Sequence, residues 1–399
     1  MDLCGKRILL GITGGIAAYK AVELLRLLKK AGAGVDVVMT EAALQFVGRI
    51  TCEVLSENPV ITNLWTDSQT SVAHIDAASR CDAAVIAPAT ANCIGKMAHA
   101  VADDALTTTL LAVTAPVMIC PSMNTHMYEN IRVQRNLDIL EKDGMHILDP
   151  DAGVLACKTT GAGRLPEPWF ILDRIFHMLS PKDFAGRKVL VSAGPTLEPI
   201  DPVRYVSNHS SGKMGYAIAR AAEMRGAEVT LVTGPVSLDP PVGVEILYVQ
   251  TCRDMTDAMI SQFSSADITI KVAAVADFCP KSHTDMKIKK TSGQDGLILE
   301  LVQNPDILQR LGEMKRTDQF LVGFAAETHD LAANAQKKIP KKNLDMIAAN
   351  LVGKKDSGFQ ADTNKVTLFF RDGSKKDLAL MDKQAVAHTL LDTILEQFP

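Results

Sequence analysis

Short apolar runs, each followed by a small-residue turn and an amphipathic segment, recur along this chain. The first run, Ile8 to Ile12, ends in Thr13-Gly14-Gly15, and apolar residues then follow at helical spacing from Ala17 to Lys30. The stretch Gly186–Gly215 repeats this order of basic lead, apolar strand and turn. Short runs of this kind are typical of buried parallel strands. The pattern predicts two nucleotide-type βα openings, too divergent to be a sequence duplication.

Further apolar runs predict the remaining strands of two sheets. In the first half they are Val35–Met39, Ala83–Ala87 and Val117–Cys120. In the second half they are Val189–Ser192, Val229–Thr233, Ile268–Ala273, Phe320–Ala325 and Met346–Ala349. A helix is predicted at Ile218–Arg225, and the DG turn within Val366–Leu380 predicts a hairpin before the final helix.

This alternation of strands and helices predicts an α/β fold with two three-layer αβα domains. The first has a flavodoxin- or Rossmann-like parallel sheet, and the second a Rossmann-like sheet with a β-hairpin extension. Proline and charge in Leu179–Phe184 place the boundary at about residue 185. The predicted domains are residues 1–185 and 186–399.

The bulk composition agrees with two globular domains and narrows the class of protein. The chain has 399 residues, more than one hydrophobic core usually serves. With 47% hydrophobic residues and a net charge of −4, neither nucleic acid nor an anionic membrane is an expected partner. The 8 cysteines form no CxxC pair, which favours reduced thiols. We expect a cytoplasmic protein, because no signal peptide or membrane-length apolar run is recognisable.

Small and polar residues follow the predicted strands of the first domain, where a parallel sheet binds ligands. After Gly14-Gly15, unpaired N–H groups at a helix start suit a phosphate, although such turns also serve simple packing. The other residues of this predicted crevice suit a flat polar ring system and are Pro88, Ala89, Thr90, Asn92, Ser122, Met123 and Asn124.

Two further residues of the first half have both a structural and a chemical interpretation. His74 precedes the third predicted strand; it is either a structural histidine or a catalytic one. Cys157 lies in a loop bracketed by Gly153, Gly161 and Gly163. It is either a small buried thiol or a proton donor on a loop that closes over a site.

Five motifs in order make residues 5 to about 178 resemble the flavin-dependent cysteine decarboxylases that act on phosphopantothenoylcysteine. They are GITGGIAAYK, the HI of VAHIDAA, APATAN, PSMN and the ACxxxGxGR loop. The resemblance implies that His74 is catalytic, that Asn124 holds the substrate carboxylate and that Cys157 donates a proton. Lys158 and Leu165 depart from the usual loop pattern. The resemblance also implies bound FMN, held by Gly14, Gly15, Thr40, Pro88, Ala89, Thr90 and Asn92.

Basic residues of the second half concentrate near the predicted strand ends. The runs are Lys287–Lys290, Lys337-Lys338 and Lys341-Lys342, and each is either a solvated face or part of a polyphosphate site. SSGKMG lacks the spacing of a Walker motif, so a P-loop is excluded. Asp277 follows an apolar run and could meet a metal or a base edge.

Residues 186 to 398 resemble phosphopantothenate–cysteine ligases of the CTP-using bacterial type. The motifs are VRYVSNHSSGKMG, AAVADF, KIKK, LVQNPDIL, GFAAET and KKNLD. The resemblance implies that Asn208 acts on the activated acyl intermediate and that Mg²⁺, with ligands that cannot be named, accompanies CTP. It also implies a CTP site at Ala273, Asp277, Lys287, Asn304, Pro305, Asp306, Ile307, Phe324, Lys338 and Lys342.

The two halves in this order resemble bifunctional enzymes of coenzyme A biosynthesis. That implies 4'-phosphopantothenate, L-cysteine and CTP as substrates, and a homo-oligomer in which trimeric decarboxylase and dimeric ligase domains form a dodecamer. An NAD(P)-dependent two-domain oxidoreductase is the first alternative, but neither opening strand is followed by GxGxxG and a suitably spaced acidic residue. A flavin-binding regulatory protein is the second; it would be suspected if His74, Asn124 or Cys157 were missing, and all three are present.

Overall fold

The computed structural model describes residues 3–65, 73–154, 160–289, 296–327, 331–351 and 361–398. The chain divides into two compact units, Met1–Ser180 and Pro181–Pro399. The sequence placed the division slightly further along, at about residue 185. No helix in the described ranges is long and apolar enough to cross a membrane.

Unit 1 is built on a parallel sheet. Its strands are β1 (Arg7–Ile12), β2 (Gly34–Met39), β3 (Ala83–Ala89), β4 (Val117–Pro121) and β5 (His146–Ile147). Their order across the described sheet is β2-β1-β3-β4-β5. The chain therefore runs outward from β1 on one side and from β3 on the other. In flavodoxin-like sheets of this order, the crevice between these two strands is the binding site.

Helices cover both faces of the unit 1 sheet. Ile8, Leu9 and Leu10 are all fully buried, although successive side chains of a strand point to opposite faces. The helices are α1 (Ala18–Lys30), α2 (Arg49–Ser56), α3 (Ala73–Arg80), α4 (Ala91–Ala98), α5 (Ala105–Leu111), α6 (Thr125–Tyr128), α7 (Ile131–Lys142) and α8 (Pro168–Leu179), with a 3-10 turn at Glu41–Gln45. An antiparallel pair, β6 (Asp151–Val154) and β7 (Thr160–Arg164), stands beside the sheet.

Unit 2 contains a larger mixed sheet. Its strands are β8 (Lys188–Ala193), β11 (Glu228–Thr233), β12 (Glu245–Tyr248), β13 (Ile268–Lys271), β16 (Phe320–Glu327), β17 (Met346–Leu351), β19 (Val366–Phe370) and β20 (Lys375–Asp377). Their order in the described sheet is β12-β11-β8-β13-β16-β17-β19-β20. All neighbours from β12 to β17 are parallel, whereas β19 and β20 are antiparallel. The predicted hairpin extension is confirmed.

Two helical layers enclose the unit 2 sheet. Val189 and Val191 pack in one core with α9 (Lys213–Met224) and α13 (Lys383–Gln397). Leu190 packs in the opposite core. That core includes α10 (Cys252–Phe263), α11 (Ile307–Met314) and α12 (Leu331–Lys341). The described short antiparallel pairs are β9 (Leu197–Pro199) with β10 (Tyr205–Ser207), β14 (Phe278–Pro280) with β15 (Leu301–Gln303), and β18 (Thr363–Asn364) with β21 (Met381–Asp382).

Two element boundaries of unit 2 differ from the sequence prediction for local reasons. The strand predicted to reach Ala273 ends at Lys271, because the next two main-chain N–H groups turn to the Ser192 hydroxyl at 3.1 Å. The helix predicted to start at Ile218 begins at Lys213. Gly212, with φ of 74°, supplies the left-handed residue that precedes it.

Gly215 lets α9 approach β8 closely, and its replacement should destabilise unit 2. A Cβ added there would lie 2.6 Å from Ala193 Cβ and 2.9 Å from the Ser192 carbonyl oxygen. We expect Gly215→Val to cost about 1–3 kcal/mol by overpacking. Urea unfolding followed by circular dichroism measures this loss. Gly296→Val is the control, since Gly296 has open space around it; equal unfolding midpoints for the two variants would contradict the close approach.

Candidate active sites

A buried threonine joins the two strands that flank the first crevice. The Thr13 hydroxyl, directly after β1, donates to the Pro88 carbonyl oxygen at 2.7 Å and accepts from the Thr90 N–H at 3.1 Å. Thr13 is fully enclosed, with 1% of its surface exposed. Because both partners lie at the end of β3, this side chain sets the distance between the two loops at the switch point.

Two glycines shape the turn that follows Thr13. A Cβ at Gly14 would lie 2.5 Å from Ala42 Cβ, so only glycine permits the 3-10 turn that Thr40 caps to approach. A Cβ at Gly15 would meet only Thr90, at 3.9 Å, so the space beside this turn is open. The first turn of α1 has no side-chain cap. Open space beside a helix N-terminus that no side chain caps suits a phosphate of a bound cofactor.

The loop after β4 carries Asn124 and supports the hairpin β6–β7. Asn124 caps α6 by accepting the His126 N–H at 2.9 Å. The Met123 N–H donates to the Gly163 carbonyl oxygen at 3.0 Å, and a Cβ at Gly163 would lie 2.2 Å from the Met123 oxygen. A Cβ at Gly161 would clash with Thr125 at 2.6 Å. Both glycines of β7 are therefore required for this contact.

The connection between β6 and β7 contains Cys157 and Lys158, which lie outside the described residues. The chain beyond β7 is held by Lys20 of α1, whose Nζ donates to the Leu165 carbonyl oxygen at 2.9 Å and to Glu167 Oε1 at 3.0 Å. The Lys20 side chain is only 7% exposed. Its hydrogen bond lowers the pKa of Glu167. Strand β7 and the chain that follows it are thus anchored to the loop after β4 and to α1.

The other predicted residues of the first site lie on α3, at the end of β3 and at the start of α4. His74 is half-buried in the first turn of α3. Pro88 and Ala89 are buried as the last residues of β3. Thr90 caps α4 through the Cys93 N–H at 3.4 Å, and Asn92 is exposed on its first turn. The residues predicted around FMN therefore come from loops after β1, β2 and β3.

In unit 2, a cavity of about 470 Å³ opens where β8 and β13 meet. The chain runs from β8 toward β12 on one side and from β13 toward β17 on the other, so this is again a switch point. The loop Ala193–Gly194 and the stretch Lys271–Val275 line it. Asn208 lies at its rim, and its Nδ2 donates to the Val275 carbonyl oxygen at 2.8 Å.

Several cations border this cavity. Lys271 of β13 and Lys338 of α12 line it. Lys213 of α9 and Lys383 of α13 line it as well. Burial lowers the pKa of Lys383. A cavity with this many ammonium groups is suited to a polyanionic ligand.

The residues predicted to bind CTP fall into three groups. Ala273, Asp277, Phe324 and Lys338 line the cavity. Asn304 adjoins them, because its main-chain N–H donates to the main-chain carbonyl oxygen of Asp277 at 2.9 Å. Together with Pro305 it borders a second depression of about 450 Å³, next to Arg253 and Arg310.

The residues of the third group do not line the cavity; they are Lys287, Asp306, Ile307 and Lys342. Lys342 pairs with Asp306 at 2.7 Å, at the start of α11, where Ile307 is the first helical residue. Lys287 is exposed, and the neighbouring Ile288 N–H donates to Asp201 at 3.1 Å. Among the described residues, no cluster of acidic, histidine or cysteine side chains could hold a metal.

Comparisons with known proteins match both units. Residues 2–180 match the Flavoprotein family, and residues 184–398 match the DNA/pantothenate metabolism flavoprotein C-terminal domain. The coenzyme A biosynthesis bifunctional protein CoaBC of Bacillus subtilis is 49% identical over 397 residues, covering 98% of this chain and 97% of that protein. The chain belongs to this family of bifunctional coenzyme A biosynthesis proteins.

Two further relatives have the same description. CoaBC of Vibrio cholerae is 46% identical over 99% of both chains. A crystal structure of the C-terminal domain of a CoaBC protein is 43% identical, covers 54% of this chain and 96% of that one, and has a TM-score of 0.46. Membership of the bifunctional family confirms the predicted enzyme class and the α/β fold.

Four polar residues of the two sites described above are not predicted from the sequence. The sequence pattern places Thr13 in a turn, Ser192 at the end of a strand, Lys20 inside a helix and Lys271 inside a strand. A charged residue at the end of an otherwise apolar strand was the available signal for Lys271. No local pattern reveals the partners of Thr13 or Ser192, which lie 75 to 81 positions away in the chain.

The Asp306–Lys342 ion pair should stabilise unit 2 in a pH-dependent way. Burial alone raises the pKa of Asp306, but hydrogen bonds from Lys342 and from the Gln309 N–H together lower it. A lowered pKa contributes stability that is present above the unfolded value, about 4, and is lost as the pH falls through the native value. We expect Asp306→Asn, which keeps the helix cap, to lower the melting temperature at pH 7.

Melting curves of both proteins between pH 7 and pH 3 measure the effect. The difference between wild type and Asp306→Asn should shrink in the acid range. Asp239→Asn, at an exposed position, is the control and should melt like wild type throughout. A difference that stayed constant with pH would mean that the carboxylate charge does not contribute.

Proposed function

We propose that unit 2 joins 4'-phosphopantothenate to L-cysteine at the expense of CTP, and that unit 1 decarboxylates the product to 4'-phosphopantetheine. The observation that carries this proposal is the pair of switch-point crevices, each lined by residues that the two family resemblances name. On this proposal residues 1–185 form the decarboxylase domain and residues 186–399 the ligase domain. The carboxyl-terminal half thus acts first.

In unit 1 we propose FMN as the cofactor. The open space beside Gly15 and the uncapped first turn of α1 fit its phosphate. Thr40 follows β2, and Thr90 and Asn92 follow β3, on the two sides of β1, where polar side chains can hold the rest of the cofactor. When bound, FMN supplies the oxidant that the cysteinyl carbon–sulfur unit needs before its carboxylate can leave.

The residues of unit 1 would bind the substrate and move its protons. Asn124 is rigidly placed, because its Oδ1 caps α6; its amide can hold the substrate carboxylate. His74 would act at the same crevice from α3. Cys157 would supply a proton to the substrate carbon after CO₂ has left; the strand that follows its loop, β7, is held in place through Gly163, and the chain beyond β7 is held by Lys20.

In unit 2 the chemistry requires an activated carboxylate. Attack of the phosphopantothenate carboxylate on the α-phosphorus of CTP forms an acyl-cytidylate and releases pyrophosphate. The cysteine amine then displaces CMP. Lysines around the cavity neutralise the charge on the phosphates, and we propose that Mg²⁺ accompanies the nucleotide. Asn208 would donate a hydrogen bond to the carbonyl oxygen as it gains charge, with the amide oriented by Val275.

We propose that the enzyme is cytoplasmic and homo-oligomeric, with trimers of the decarboxylase domain and dimers of the ligase domain assembled as a dodecamer. This assembly follows from the family resemblance. The substrates are small molecules, and neither nucleic acid nor membrane is an expected partner. Light scattering of the purified protein measures the mass of the assembly.

Cys157→Ser should separate decarboxylation from the final protonation. Serine is a much weaker acid than cysteine, so we expect the variant to release CO₂ from phosphopantothenoylcysteine and then to accumulate the enethiol. Mass spectrometry of the products, with CO₂ measured in parallel, tests this. The variant and wild type should both be yellow with bound flavin. Full turnover to phosphopantetheine by Cys157→Ser would remove the role, and a colourless protein that FMN cannot reconstitute would contradict the cofactor.

Asn208→Asp should stop ligation after the first step. A carboxylate placed 2.8 Å from the Val275 oxygen cannot donate a hydrogen bond and repels the developing charge of the acyl carbonyl. We expect pyrophosphate release that needs CTP and phosphopantothenate, followed by amide formation at least about 100-fold slower than in wild type. Trapping of labelled acyl-cytidylate measures the block. Normal amide formation would refute the assignment.

A further inference from the structure

One of the lysines that line the unit 2 cavity, Lys271, stands at the end of a central strand. Lys271 is the last residue of β13, and its side chain lines the cavity together with Ala273, Asp277 and Lys338. The preceding Ile268 and Ile270 are fully buried, so the strand changes from apolar to charged where it reaches the crevice. An ammonium group at the end of a central strand is costly to bury and needs a compensating partner.

The surroundings compensate this charge only in part. The Lys271 Nζ donates to the Ala273 carbonyl oxygen at 2.8 Å. The carboxylate that raises the pKa of Lys271 most is Asp306 at the start of α11, which is paired with Lys342. Asp277 faces it from the loop after β13.

The remaining group facing Lys271 is Cys252 of α10. Burial raises the pKa of the Cys252 thiol to about 11, so this thiol is neutral at physiological pH. Among the described residues that line the cavity, four are lysines and one, Asp277, is acidic. The site has an excess of positive charge that an anion entering the cavity would balance.

We propose that the Lys271 ammonium, which lines the cavity, binds the phosphate chain of the nucleotide. The inference rests on the proposed use of CTP by unit 2. One N–H bond of the ammonium is directed to Ala273, and the others can serve phosphate oxygens, since an ammonium is a donor only. The cytosine ring is neutral and offers no comparable charge.

The protonation of Lys271 supports this role. Burial, and next the positive charge of Lys342, lower the pKa of Lys271 to about 8. In the free protein a substantial fraction of this amine is therefore neutral at pH 8. A bound phosphate favours the charged form and raises the pKa, so binding near this pH draws in a proton. Nucleotide affinity should weaken as the pH rises above 8.

Titration calorimetry of the full-length protein with CTP and Mg²⁺ at pH 8 tests the proposal. Measurements in HEPES and in Tris, whose ionisation enthalpies differ, give the number of protons taken up. We expect an uptake of up to about half a proton in wild type. Lys271→Met should reduce this uptake, leaving only what other groups such as Lys383 contribute, and weaken CTP binding by about 10–100-fold at pH 7, since a charge-assisted hydrogen bond is lost.

Two further variants separate a binding role from a structural one. Lys271→Arg stays charged at every pH in the range, so it should keep most of the affinity, take up fewer protons than wild type and lose less affinity than wild type between pH 7 and pH 9. Lys375→Met, at an exposed position on the hairpin, is the control and should behave like wild type. Cytidine, which has no phosphates, should bind wild type and Lys271→Met equally and without proton uptake.

The outcomes distinguish this inference from the function on which it rests. Wild-type binding of CTP with the same proton uptake in Lys271→Met or in Lys271→Arg overturns the role of Lys271 alone. If Lys271→Met loses equal affinity for CTP and for cytidine, the role of Lys271 in phosphate binding is also overturned, since such a result indicates a structural lysine. If Lys271→Met fails to fold, the arginine variant still decides. Folded wild-type protein that does not bind CTP overturns the proposed nucleotide site and this inference with it.

Discussion

Two buried hydroxyl groups hold together the loops on which both sites depend. Thr13 bridges the ends of β1 and β3 in unit 1, and Ser192 bridges β8 to the chain after β13 in unit 2. Each lies at the switch point of its sheet. There the ladder of strand hydrogen bonds ends, and unpaired main-chain groups would be costly to bury. In both domains, a buried side-chain hydroxyl therefore pairs the main-chain groups that the strand ladder leaves without a partner.

With the loops fixed in this way, close contacts that only glycine permits bring the remaining groups to each crevice. Gly14 admits the 3-10 turn at Thr40, and Gly163 seats the hairpin β6–β7 on Met123. In unit 2, Gly212 begins α9 in a left-handed conformation, and a Cβ there would lie 2.7 Å from Val236 Cγ1. Lysines complete both arrangements. The buried Lys20 holds the chain beyond the hairpin, and the half-buried Lys271 lines the unit 2 cavity.

Most strands were predictable because each crosses the core of a sheet covered on both faces, where nearly every residue must be apolar. The hairpin was predictable from its DG turn. The short pairs, such as β14 with β15, were not predicted, since their exposed residues have no apolar period. The end of β13 was misplaced because Val272 and Ala273 are apolar but hydrogen-bond to Ser192 instead of to a neighbouring strand.

The sequence by itself determined the α/β class, the two-domain order and the small and polar residues at the strand ends, because these follow from local periodicity and turn chemistry. It also carried the motifs that resemble both enzyme families. Only the tertiary structure decided which side chains share a crevice: it places Ala273, Asp277, Phe324 and Lys338 around one cavity and leaves Lys287 exposed. It alone shows the surroundings of Lys271. Burial and the charges that act on a side chain depend on residues far away in the chain, and no local pattern encodes them.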